Sequence, residues 1–110
     1  MEKSLREVCE LYMVSRRAVQ GYEKAGLVSA SAYTSRGYLL YDDSAQERIR
    51  QIKMYQELGF SIKEIVQVID KPVKERKEAI ELKLVILEEE RGRLDNIITY
   101  AHKLIEQLSI

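Results

Sequence analysis

The chain has 110 residues, 45% of them hydrophobic and 33% charged, with 18 basic groups against 18 acidic ones. That length fits one compact unit with room for a projecting helix, and so apolar a composition excludes a disordered chain. No apolar run approaches the roughly 18 to 20 residues that cross a bilayer, and the opening MEKSLREV lacks a signal peptide's apolar stretch, so the expected location is the cytoplasm, with no membrane partner.

Ser4 followed by Glu7 has the spacing of a capping box, and Leu5, Val8, Cys9 and Tyr12 fall on one stripe, which predicts a first helix over residues 5–12. Ser15 caps a second helix over 16–25, which Gly26 ends. Only Met13 and Val14 remain for the turn, so the two helices cross steeply, as in a helix-turn-helix. Ala18, Val19 and Tyr22 face the first helix. Arg17, Gln20, Gly21 and Lys24 recur at helical spacing on another face that is polar and carries little bulk. Such a face suits reading a DNA groove: long donors reach base edges or phosphates, and glycine lets the backbone come close. A solvated helix surface explains the same pattern, and the helix-turn-helix context favours the first reading.

Residues 31–41, SAYTSRGYLLY, are predicted to form a two-stranded hairpin with Ser35, Arg36 and Gly37 at the turn. Arg36 and Tyr38 then stand near the tip, where a guanidinium and a phenol can bond phosphate oxygens. Asp42, Asp43 and Ser44 supply caps for a helix over 45–58, with Ile49, Ile52 and Tyr55 inward. Gly59 closes it, and Ser61 caps a short helix over 62–69 that buries Ile62, Ile65, Val66 and Ile69. Asp70-Lys71-Pro72 breaks the chain.

A single long helix follows over 73–108. Ile80, Leu84, Leu87, Arg91, Leu94, Ile98, Ala101, Ile105 and Leu108 are spaced alternately by four and three residues, the seam of a coiled coil. Such a helix runs on the order of 50 Å, so an uncovered seam would expose a large apolar patch, and a second copy of the chain is the simplest partner. Arg91 interrupts the seam; its charge snorkels outward or meets the partner's Glu88–Glu90 cluster.

Charge is unevenly placed: residues 1–41 carry six basic groups against four acidic, with the basic ones gathered on the second helix. The lone Cys9 closes no intrachain disulfide and lies on the inward face of the first helix, where a small core residue fits better than a redox switch. His102 has no second histidine or cysteine one helical turn away, so no metal site is expected. No nucleophile with an adjacent base, glycine-rich phosphate loop or paired carboxylates appears, so the chain is not read as an enzyme, and no cofactor is expected.

Taken in order, VSRRAVQGYEKAGLV, RGYLLY and QELGFSIKEI make the chain resemble the MerR family of bacterial transcriptional regulators over roughly residues 5–69, closest to its drug- and antibiotic-responsive branch. The resemblance implies a mainly α winged helix-turn-helix over 1–72 with a small β-hairpin wing, then a dimerisation helix over 73–110 that pairs antiparallel with its mate. It implies a homodimer on double-stranded DNA, binding a pseudo-palindromic promoter operator and acting by distorting it, with RNA polymerase at the same promoter, in a bacterial cytoplasm at the nucleoid.

Carried over by position, Arg17 and Tyr22 match recognition-helix contacts, Tyr38 matches the wing tyrosine, and Lys24 falls at a phosphate contact. With Ser15, Arg16, Gln20, Arg36 and Gly37 they make up the expected DNA surface. The chain departs from the family at Gln20 and Gly21, where a basic residue and a tyrosine are common, and at Leu39, where the wing arginine usually stands. It lacks the cysteines of metal-sensing members, and no residue names a small-molecule effector. Longer drug-responsive members continue into a ligand-binding domain; this sequence either belongs to a small regulator or stops where the helix does. The competing expectation is a protein-interaction module of the same fold that has lost DNA binding and works through its seam or its second helix.

Overall fold

The computed structural model describes residues 1–109. The chain divides into two compact units, Met1–Lys71 and a second that begins at Pro72. The first contains β1 (Lys3–Ser4), α1 (Leu5–Tyr12), α2 (Arg16–Lys24), β2 (Ala32–Tyr33), β3 (Leu39–Tyr41), α3 (Asp43–Glu57) and α4 (Ile62–Val68); the second is the helix α5 (Val73–Leu108). Among the described residues no helix is long and apolar enough to cross a membrane.

The helices start where polar side chains satisfy free amides of the first turn. Ser4 and Glu7 close a reciprocal capping box at α1, and Ser61 and Glu64 do the same at α4. Ser15 caps α2 and Asp42 caps α3. The turn between α1 and α2 passes through Met13 in the left-handed region (φ 54°), and α2 ends at Gly26 (φ 77°), where Leu27 N–H bonds back to Tyr22 C=O at 3.0 Å. Glycine takes that conformation without the clash between Cβ and carbonyl that burdens other residues.

The hairpin is the expected one, but the sheet has three strands in the order β1-β3-β2, all antiparallel. Leu40 is central: it faces Ser4 on one side and Ala32 on the other. The added strand is two residues long and leads straight into the capping box of α1, so the pairing fixes where the first helix begins.

Val8, Val19, Tyr22, Tyr41, Ile49, Ile52 and Ile65 are the fully buried core of the first unit. α4 buries Ile65 and Ile69 as the spacing requires, but Val66 is exposed and Ile62 only half-buried, so the apolar face of this two-turn helix is narrower than expected. Tyr55 and Phe60 meet edge to face at 5.3 Å across the α3–α4 corner.

Candidate nucleic-acid interface

α3 lies behind the helix-turn-helix and braces it through side chains that sequence periodicity alone assigns to solvent. Lys53 Nζ donates to the carbonyls of Tyr12 (2.7 Å) and Met13 (2.9 Å), neutralising the end of α1. Arg48 Nε donates to Leu27 C=O at 2.8 Å, and the guanidinium grips Asp70 with two bonds, joining the exit of α2 to the end of α4. Gln46, only 4% exposed, accepts from the Tyr12 hydroxyl and donates to the carbonyls of Met1 and Tyr41. Each buried amide atom is therefore paired, as burial of a polar group demands.

With α2 held from behind, its outward face carries Arg16, Arg17, Gln20, Gly21 and Lys24, all exposed. A Cβ built on Gly21 meets nothing within 4 Å, so the helix surface there is open to a close approach. Ser15 Oγ accepts from the Ala18 amide at 2.9 Å, which leaves its O–H proton available to an outside acceptor. Tyr22 is different. It is 1% exposed and its hydroxyl donates to Gln56, so the core holds it and the expectation that it contacts DNA directly is corrected.

The wing tip is organised by a residue that the sequence reading passed over. Thr34 Oγ1 accepts from the amides of Arg36 (3.3 Å) and Tyr38 (3.1 Å), while its own amide and carbonyl bond Tyr38 C=O (2.8 Å) and Gly37 N–H (2.9 Å). Gly37 supplies the left-handed step (φ 82°). The loop therefore closes on itself and leaves the side chains of Arg36 and Tyr38, the latter 66% exposed, directed outward. At the base of the wing the Tyr41 hydroxyl donates to the Glu23 carboxylate, which ties β3 to the last turn of α2. Burial, then the Glu23 carboxylate, raise the Tyr41 pKa far above the ordinary phenol value, so the phenol stays a donor. A threonine just before the turn is the sequence signal that could have pointed to Thr34; the brace of β3 on α2 left none.

The ion pairs sort the cations into two sets. Arg6 pairs with Glu10, Arg48 with Asp70, Arg50 with Glu47 and Lys53 with Glu57. Among the described residues Arg16, Arg17, Lys24 and Arg36 stand in no ion pair within 4 Å. Lys3, Lys63 and Lys71 are likewise outside those pairs, so α2 and the wing hold four of the first unit's seven unpaired cations, on elements that Tyr41 and Glu23 fasten together. A cluster of exposed cations of this kind attracts a polyanion.

In the second unit every expected seam position of α5, from Ile80 to Leu108 and including Arg91 and Ala101, is exposed, and the helix has no fully buried residue.

The model of the MerR HTH family of regulatory proteins matches residues 3–71, and a second model, described as MerR, DNA binding, matches residues 46–109. The HTH-type transcriptional activator mta of Bacillus subtilis is 36% identical over 98 residues, covering 89% of this chain and 38% of the activator. The chain therefore spans well under half of that relative's length. The crystal structure of the N-terminus of the same B. subtilis multidrug transporter activator, MtaN, superposes with a TM-score of 0.75 at 33% identity, over 94% of this chain and 97% of that one. HiNmlR, a MerR family regulator lacking the sensor domain and crystallised on promoter DNA, shares the fold at 17% identity with a TM-score of 0.69, over 90% of this chain and 80% of that one.

Proposed function

The chain belongs to the MerR HTH family of regulatory proteins, and from that premise we propose that it is a homodimeric, sequence-specific regulator of transcription that grips a pseudo-palindromic promoter operator. Residues 1–72 bind DNA and residues 73–110 dimerise, the α5 seams of two copies pairing antiparallel. α2 enters the major groove with Arg17 and Gln20 toward base edges. Arg16, Lys24 and the wing's Arg36 and Tyr38 take phosphates that fix the register. Two such units on one face engage half-sites about one helical turn apart. Bending or untwisting the DNA between them costs on the order of 1–10 kcal/mol, supplied by those phosphate contacts and returned as a promoter geometry that RNA polymerase can use. HiNmlR, crystallised on promoter DNA, and mta, a transcriptional activator, support this reading.

The observation that carries it is the cluster of exposed, unpaired cations that α2 and the wing bring together, Arg16, Arg17, Lys24 and Arg36, in a chain without net charge. The test is binding to a fragment from upstream of the protein's own gene, compared with scrambled DNA. Arg17→Ala is expected to lose about tenfold or more in the ratio of the two affinities, because a base contact carries about 1–3 kcal/mol of discrimination. Lys24→Ala is expected to weaken both alike. Equal affinity of the wild type for all sequences rules the proposal out, and with it the assignment of Arg17 to base reading.

A further inference from the structure

Five glycines occur in the chain, and the backbone accounts for three of them: Gly26 and Gly59, just past α2 and α3, and Gly37 at the wing turn all take positive φ. Gly21 is different. It stands inside α2 without a positive φ, and a Cβ built on it meets nothing within 4 Å, so neither conformation nor packing within the chain requires glycine there. Gly92, in the second unit, is the one other glycine of this kind. Proline apart, glycine is the least favourable residue in a helix interior, because it gives up the most backbone freedom on folding. α2 therefore weakens itself on its exposed face for no gain inside the protein, and the gain has to come from what that face meets.

The neighbours of Gly21 define what fits against it. Arg17 lies one turn before it, Gln20 beside it and Lys24 one turn after it, all three exposed. Three long donors thus stand around a floor that lacks a side chain. The Gly21 carbonyl already accepts from the Ala25 amide at 3.0 Å, so what the floor presents is the apolar Cα. A polar group gains no partner on such a floor, whereas a methyl group gains contact. Of the four base edges in the major groove only thymine carries an apolar group, its C5 methyl. A side chain at position 21 would fill the same space.

We infer that Gly21 forms a slot for a thymine methyl group, one in each half-site, and so makes that position of the operator specific for thymine. This rests on α2 being the groove-reading helix proposed above. The surrounding donors hold the helix in the groove, and the missing side chain lets it come close enough for the methyl to enter.

The probe is the tightest duplex that the full chain selects from a random pool, with its thymines replaced in turn by deoxyuridine, which lacks only the methyl group. One symmetry-related pair of thymines is expected at which the replacement weakens wild-type binding about fourfold per half-site, the effect of burying one methyl group. Gly21→Ala is expected to raise the folding equilibrium constant about fivefold in urea denaturation, as alanine in place of a helical glycine does. It should nevertheless bind the thymine duplex about tenfold more weakly, because two methyl groups compete for one space. Deoxyuridine at that same pair should bring the variant back to the wild type's affinity for the deoxyuridine duplex. A pool that yields no preferred sequence overturns sequence-specific binding, and the slot with it. A preferred duplex that Gly21→Ala binds as tightly as the wild type overturns the slot and leaves the regulator standing. Weakened binding that deoxyuridine rescues at no thymine gives the close approach to the sugar-phosphate backbone and overturns the thymine assignment. A variant less stable than the wild type gives the glycine a reason inside the fold and overturns the premise.

Discussion

The Tyr22 ring is packed in the core and its hydroxyl donates to Gln56 Oε1, so the side chain serves α2 by anchoring it to α3. Burial raises the pKa of this phenol, which keeps its proton on and the bond made. A buried anchor and a phosphate ligand predict different losses when only the oxygen is removed. Tyr22→Phe is expected to lower unfolding stability by about 1 kcal/mol, the usual net worth of one hydrogen bond, while the folded variant keeps its operator affinity within about twofold. Urea denaturation and fluorescence anisotropy on the same preparation separate the two. A tenfold loss of affinity with unchanged stability would return Tyr22 to the DNA surface. Tyr38, two-thirds exposed at the wing tip, has no such core role, and there the loss should appear in binding.

Caps decide where these elements begin, and two of the caps titrate. Glu7 is held below its ordinary value of 4.5 by the Ser4 amide and then the Ser4 hydroxyl, and Asp42 below 3.8 by the Ala45 amide and then the Ser31 side chain. Folding therefore favours the ionised form of both groups. Their contribution is complete above the ordinary values and is lost as pH falls through the lowered ones. The urea midpoint is expected to fall on acidification from about pH 4.5 downward, and Asp42→Asn, which keeps a capping oxygen that does not titrate, should make that fall shallower. An equal fall in wild type and variant would mean that Asp42 is not coupled to folding.

The same caps explain how far the sequence could be read. Ser4, Ser15, Asp42 and Ser61 act within one turn of themselves, so spacing alone located α1, α2 and α4 to within a residue and the start of α3 to within two. Strand β1 was invisible because two residues show no alternation and its partner, Tyr41, lies far along the chain. Gln46, Arg48 and Lys53 were invisible for a related reason: their partners are distant carbonyls, and polar residues on a long helix look solvated until the fold brings those carbonyls near. At the candidate interface the exposed face of α2 followed from periodicity, which also put Tyr22 inside. The family likeness drew Tyr22 outward, and its burial decides for the periodicity.

For the whole molecule the question is whether DNA responds to total charge, which is zero, or to the particular cations that α2 and the wing expose. The salt dependence of binding distinguishes them, because each phosphate neutralised releases counterions and steepens the slope of log K against log salt by about 0.9. If Arg16, Lys24 and Arg36 each hold a phosphate in both protomers, the dimer neutralises six, and the expected slope is roughly −5. Lys24→Ala removes two of these contacts and should flatten it by roughly 2. Arg50→Ala removes the same formal charge, but Arg50 already donates to Glu47 on the surface of α3. It should therefore leave the slope where it was, apart from the weak field of the newly unpaired Glu47. A titration of operator binding from 50 to 200 mM salt with the three proteins decides the matter. If Arg50→Ala flattens the slope as much as Lys24→Ala, attraction is a property of overall charge and the face built by α2 and the wing has no privileged part in it.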